Sequence, residues 1–400
     1  MNTGAPVIEN QETWTDFINP TLRALPPSGI RRFFDLVTEM KDIISLGVGE
    51  PDFVTPQHIM DACIKSLELG QTGYTSNQGT LELREAIAKD LYESYGVSYN
   101  PRSEILITVG VSEGLDLAVR ALTSPGDEVL VPEPTYVSYI PCTALAGAVP
   151  VPLKTSMENL FRLTADQVEA AITPRTKILL LAYPNNPTGA VMTRKDLLEI
   201  AEVVKAHNLI VISDEIYDHL TYLGEHTCVS SLPGMRERTV LLGGFSKSYA
   251  MTGWRVGYAC GNPDFIGAMT KIHQYTMLCA PTQAQVCALE ALRNGKPEMR
   301  RMVAEYDRRR KFVVRSLKEI GLPCFEPGGA FYAFPDITVT GMNSDEFSER
   351  LIMEEKVAVV AGTAFGEAGE GHVRISYAYS IEQLTEAFKR MHRFVQKYSR

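Results

Sequence analysis

Four hundred residues exceed what one ordinary hydrophobic core holds, so two domains with a cleft between them are expected. With 45% hydrophobic and 22% charged residues, the composition is that of a globular protein and excludes a disordered or fibrous chain. A formal net charge of -9 argues against nucleic acid or an anionic membrane as the main partner, because both select basic surfaces.

Residues 1–30 read as an N-terminal arm. They contain no basic segment followed by an apolar one, and no apolar run of about 18 residues occurs anywhere, so a soluble, non-exported protein is expected. The segment SLGVGEPDF (45–53) precedes the first strong strand pattern and is assigned, within residues 31–57, to a small domain completed by residues 295–400. Residues 58–294 form the expected large domain. There, from Ser103 to Gly261, short apolar runs alternate with amphipathic stretches: Ile105–Val109, Val129–Val131, Ile178–Ala182, Ile210–Ile212, Val240–Leu242 and Val256–Ala259. That rhythm predicts an α/β fold with a mostly parallel central sheet covered by helices. Thr164 with Gln167, and Thr193 with Asp196, have the spacing of helix-capping boxes. Beyond Gly295 the pattern changes to a long charged helix, short strands near Ala330–Phe334 and Val373–Ser376, and a closing helix after Ser380, which reads as α+β. In the charged helix Arg300, Arg301, Arg308, Arg309, Arg310 and Lys311 interleave with acids and are taken as a solvated face. The seven cysteines show no C-x-x-C spacing, and reduced thiols in a cytoplasmic compartment are expected.

Chemistry concentrates in GGFSKSYAMTGWRVGYA (243–259), where Lys247 and Arg255 lie eight residues apart in a turn leading to a strand. A lone Lys and Arg in a loop are ordinarily surface charges, so the segment carries weight only in company. Upstream, IVI runs into SDEIY (213–217), placing Asp214 and Tyr217 at the carboxyl end of a strand, the edge where parallel sheets bind ligands. Earlier still, the strand ending at Ala182 runs into YPNNPTG (183–189), in which Asn186 is held extended by the following proline. Taken singly, Asp214 would be a helix cap and Asn186 a turn former.

In that order, YPNNPTG, SDEIY, GGFSK and TGWRVGYA resemble the class I and II aminotransferases of pyridoxal-phosphate (PLP) fold type I, and the resemblance runs from about Ile30 to the C-terminus. It implies a PLP enzyme that moves amino groups between L-amino acids and 2-oxo acids by a ping-pong mechanism, with glutamate and 2-oxoglutarate as one pair. It assigns Lys247 to the Schiff base with the cofactor and to proton shuttling, Asp214 to the pyridine nitrogen, and Tyr217 and Asn186 to the ring's 3′-oxygen. Arg255 and the first N–H groups of the helix in TVGVSEGLDLAVRAL, those of Val111 and Ser112, would take the phosphate. The Ser112 and Ser246 hydroxyls are further candidates for that contact, although Gly244 stands where many relatives carry a phosphate-binding serine. Tyr136 would stack on the ring. Tyr74 matches the tyrosine that reaches the neighbouring subunit's cofactor, implying a homodimer. Arg374, in HVRISYA, and the backbone of Gly49 would bind the substrate carboxylate.

The amino donor is open at this level. A lysine that some aspartate-specific relatives carry is replaced by Ser112, and the arginine that others borrow from the partner is absent from HQYTMLCAPTQAQ (273–285); Lys271 or Arg31 is left as a candidate for a second carboxylate. A PLP-dependent C–S lyase or synthase of the same fold is the nearest alternative, and a non-catalytic PLP-binding regulator a remote one. No strand leads into G-x-G-x-x-G, no P-loop occurs, and the seven histidines lack H-E-x-x-H, so neither a dinucleotide site nor a metal is expected.

Overall fold

A computed structural model describes residues 14–27 and 42–399. At its centre is a seven-stranded sheet of order β2-β8-β7-β6-β5-β3-β4. The strands are β2 (Ile105–Thr108), β3 (Glu128–Glu133), β4 (Val149–Lys154), β5 (Thr176–Ala182), β6 (Ile210–Asp214), β7 (Thr239–Gly244) and β8 (Gly257–Cys260), following β1 (Ile44–Ser45) in the chain. β8 runs antiparallel to both neighbours and the other pairs are parallel. β2, β3 and β8 are buried along their whole length, as expected of strands covered on both faces.

All six apolar runs correspond to strands. β4 was not anticipated. Its sequence VPVPLK carries Pro150 and Pro152, which remove ladder donors and disguise a strand, but β4 pairs only with β3. At an edge, prolines two apart leave the missing N–H groups on the unpaired side.

Helices α1 (Pro20–Ala24), α2 (Gln57–Glu68) and α3 (Leu81–Tyr95) come first, and α4 (Gly110–Leu122), α5 (Tyr139–Leu145), α6 (Ala165–Ala171) and α7 (Arg194–Ala206) alternate with the strands. Both anticipated capping boxes are present, at Thr164 on α6 and Thr193 on α7. α8 (Pro263–Thr276) and α9 (Thr282–Asn294) lead to the long α10 (Lys296–Ile320). Next come β9 (Tyr332–Ala333), α11 (Ser344–Glu355), β10 (Val357–Ala358), β11 (Val360–Ala361), β12 (Val373–Ser376) and α12 (Ile381–Tyr398).

β1 pairs in parallel with β10, and β11-β12-β9 form a separate antiparallel sheet, so the segment before the large sheet packs with the C-terminal elements. The basic cluster of α10 is not simply a solvated face. Arg309 and Arg310 are buried: Arg309 reaches Asp52 at 2.8 Å, and Arg310 reaches Glu326 at 2.6 Å. Each also pairs with an acid one turn earlier on the helix, Glu305 and Asp307. The partners that draw these two arginines inward lie on other segments, out of reach of helical periodicity.

Candidate active site

Parallel register carries the carboxyl ends of β5 and β6 to one level, with Ala182 opposite Asp214 and Asp214 opposite Leu242 of β7. The three following segments, YPNNPTG, EIY and FSK, therefore converge above the sheet. They enclose a cavity of about 330 Å³ lined by Val111, Ser112, Tyr136, Asn186, Asp214, Tyr217, Ser246, Lys247 and Arg255 from the large sheet's side, and by Gly49 and Arg374 from the other. Eleven of the twelve expected site residues thus meet in one place. Tyr74 does not: it is 84% exposed and lies outside the cavity of the single chain. Lys271 is exposed on α8 and does not line the cavity, and Arg31 falls outside the described residues.

The Lys247 amine donates to the Gly49 carbonyl at 2.7 Å. Burial lowers its pKa to about 8; Glu50 raises it, while Arg374 and Arg255 push it further down. Asp214 is buried at the end of β6. Its carboxylate accepts the Tyr139 hydroxyl at 2.8 Å and the Ile216 N–H at 3.1 Å. Burial raises the Asp214 pKa to about 6, against those two hydrogen bonds, which lower it.

Arg374, in β12, is buried, and burial depresses its pKa. Nη1 donates to Asn186 Oδ1 at 2.8 Å and Nη2 to the Gly47 carbonyl at 2.5 Å, while Nε has no partner. Because a guanidinium only donates, Asn186 must turn its oxygen to Arg374 and offer its NH₂ elsewhere. Tyr217 and Tyr332 share a hydroxyl–hydroxyl contact of 2.8 Å. A Cβ at Gly49 would collide with the Tyr332 hydroxyl, so the carbonyl that meets Lys247 approaches only because position 49 has no side chain.

At the other end, Arg255 holds a left-handed φ of 53° and donates to the Thr252 carbonyl at 3.1 Å. Its guanidinium lies over the start of α4, where a Cβ on Gly110 would stand 2.7 Å from Nη2. The N-cap Val109 has no oxygen to offer, which leaves the first N–H groups of α4 unused by the helix.

Sequence reasoning missed Tyr139, Tyr332 and Thr252. Tyr139 stands three residues after Tyr136, and its ring meets Tyr136 edge-on at 5.6 Å. Tyr332 comes from β9, read only as a strand, and carried no signal.

Comparison with known proteins decides what the cavity belongs to. The family described as aminotransferase class I and II matches residues 41–391. The chain belongs to that family. This aminotransferase is 48% identical over 374 residues to an aspartate aminotransferase of Pyrococcus abyssi, covering 93% of this chain and 96% of that protein. It is 45% identical over 386 residues to aromatic-amino-acid aminotransferase 2 of Thermococcus litoralis, covering 95% and 98%. The structure of Thermus thermophilus aspartate aminotransferase with maleate superposes with a TM-score of 0.90 at 38% identity, covering 94% and 99%. The fold is therefore PLP fold type I, and the protein is a PLP-dependent transferase of amino groups.

The residues fit that cofactor. Two arginines form no ion pair among the described residues, free helix N–H groups lie near one of them, a buried amine rests on a carbonyl, and a buried carboxylate lines the same cavity. An anion at each end and a cationic ring between them would satisfy every one of these groups.

Proposed function

We propose that this cavity transfers an amino group from an L-amino acid to a 2-oxo acid in two half-reactions of ping-pong type, with glutamate and 2-oxoglutarate as one pair. The observation that carries the reading is the buried Arg374, a cation with no carboxylate beside it among the described residues, lining the same cavity as Lys247.

PLP would supply an aldehyde that condenses with amines and a ring that withdraws electrons from the substrate's Cα. The chain's own groups do the rest. Lys247, with its pKa lowered to about 8, holds the neutral amine within reach at ordinary pH and moves the proton at Cα. Asp214, kept as a carboxylate by Tyr139 and the Ile216 N–H, would hold the ring nitrogen and favour its protonated form. The Asn186 NH₂ and the Tyr217 hydroxyl would hold the 3′-oxygen, and Tyr136 would hold the ring by stacking. Arg255, with the Val111 and Ser112 N–H groups and the Ser246 hydroxyl, holds the phosphate. Arg374 and the Gly49 backbone would grip the α-carboxylate, and the bond from Arg374 to Asn186 makes that grip sensitive to how residues 295–400 sit against residues 58–294.

Arg374→Lys is expected to lower kcat/KM roughly 100- to 1000-fold, mostly through KM, because one ammonium cannot replace a two-pronged bond. Steady-state kinetics with several amino acids check this, and an unchanged KM would remove Arg374 from substrate binding. With an amino acid alone, the enzyme should release one equivalent of 2-oxo acid per subunit and then stop until a 2-oxo acid is added. Continued turnover with release of ammonia or thiol would favour the C–S lyase reading.

Tyr74 supports a homodimer. Its segment is tied to residues 278–282 through Asn77 to the Leu278 carbonyl and Thr282 to the Gly73 carbonyl, and nearby in the chain Tyr275, Met277 and Leu278 expose their side chains. A tyrosine so presented suits a partner's phosphate site. Sedimentation at the monomer mass of 44.3 kDa would refute the pairing. Seven free cysteines support a cytoplasmic location, which subcellular fractionation would test. Among the described residues no helix is long and apolar enough to cross a membrane.

A further inference from the structure

A buried acid–imidazole pair braces the start of α4, and none of the roles above uses it. Glu113, one turn into that helix, reaches back so that Oε2 accepts the Val109 N–H at 2.5 Å, while Oε1 meets Nδ1 of His273 on α8 at 2.6 Å. The His273 side chain is completely buried and that of Glu113 is only 9% exposed.

A carboxylate in the first turn of a helix ordinarily competes with an incoming anion for the same N–H groups, and its charge repels a phosphate. Here it is turned away. Glu113 does not line the cavity, and its two oxygens are spent on the residue before the helix and on a ring from another helix. On the same turn Thr108 Oγ1 donates to the Gly110 carbonyl at 2.9 Å, so the 108–109 and 110–111 peptide groups are both pinned, and the N–H groups of Val111 and Ser112 have no side-chain cap. There is little slack around them. A Cβ on Gly257 would stand 2.8 Å from the Val111 nitrogen, and one on Gly110 would meet Arg255.

His273 adds the second observation. Its Nε2 is buried with no hydrogen-bond partner, a desolvation penalty that an apolar residue at this position would avoid. The ring nitrogen that has a partner is the one facing Glu113, so the imidazole's polar contact is directed at the carboxyl group. His273 also lies in the last turn of α8, where its carbonyl accepts the Met277 and Leu278 N–H groups.

We propose that Glu113 and His273 are positioning residues for the cofactor phosphate: together they fix the β2–α4 turn so that its free N–H groups and Arg255 converge on one anion. The inference rests on the assignment of the phosphate to Arg255 and α4. It predicts a dependence on the phosphate group itself, which a merely structural role would not show.

The test is equilibrium titration of the full-length apoenzyme with two probes, pyridoxal phosphate and unphosphorylated pyridoxal. Glu113→Ala should weaken the phosphorylated ligand about 10- to 100-fold and change pyridoxal by no more than about twofold. Glu113→Gln keeps an acceptor for the Val109 N–H and should restore most of the loss. His273→Gln, which leaves Glu113 in place, should weaken only the phosphorylated ligand, by roughly 3- to 10-fold, and it decides the matter alone if the alanine variant does not fold. Equal losses for the two ligands, or no loss in either variant, overturn the brace. A wild type that holds both ligands equally tightly overturns the phosphate assignment beneath it.

Discussion

Replacing Lys247 by alanine is expected to lower turnover by about 10⁴-fold or more, with the protein still folded and still able to bind PLP through its phosphate contacts. The reason is positional. The amine sits on the Gly49 carbonyl, between the two arginines that hold the ends of the site, and no second lysine lines the cavity among the described residues. Borohydride should no longer fix cofactor to the variant, and single-turnover kinetics with an amino acid should show no fast phase. A variant retaining a few per cent of activity would transfer the proton role to another group. In the wild type the amine is captured by an aldehyde only when neutral, so the rate at which apoenzyme takes up PLP should climb as pH rises through about 8, where Lys247 loses its proton. A flat profile between pH 7 and 9 would contradict the lowered pKa.

Asp214→Asn is expected to lower kcat roughly 1000-fold, because an amide cannot hold the ring nitrogen cationic while almost everything else in the cavity is preserved. The pH profile gives an independent check. Burial raises the Asp214 pKa to about 6, so the carboxylate is neutralised, and activity lost, as pH falls through that value; a bound cationic ring would draw the limb lower. Tyr139 donates to this carboxylate and so stabilises its charged form. Tyr139→Phe should therefore cut kcat by about 10-fold and move the acid limb upward, the direction opposite to that caused by ring binding. An acid limb that stays in place in Tyr139→Phe would mean that the hydroxyl does not act on Asp214.

Much of the architecture was legible because it follows from local chemistry. Short β-branched runs between capped helices produce β3, β5, β6 and β7 wherever they occur, and Thr193 caps α7 through its own Asp196. β4 escaped because its prolines signal a break, and they are tolerated only at an edge, which is a property of the sheet and not of the segment. The arginines of α10 misled for the same reason. Periodicity shows that Arg309 and Arg310 share a helix with acids, whereas their burial depends on Asp52 and Glu326, supplied from 257 and 16 residues away.

In the site the division is similar. Lys247, Asp214, Asn186, Tyr217 and Arg255 were readable because each stands in a short segment whose residues are adjacent in sequence, and parallel register then brings those segments to one edge of the sheet. The sequence by itself determined which groups are available and at which strand ends they stand. Only the tertiary structure decided the pairings: Tyr139 on Asp214, Tyr332 on Tyr217, Arg374 on Asn186 and His273 on Glu113. These contacts join residues 75 to 188 positions apart, and their strength depends on distances of a few ångströms and on shielding from water, neither of which a local pattern encodes.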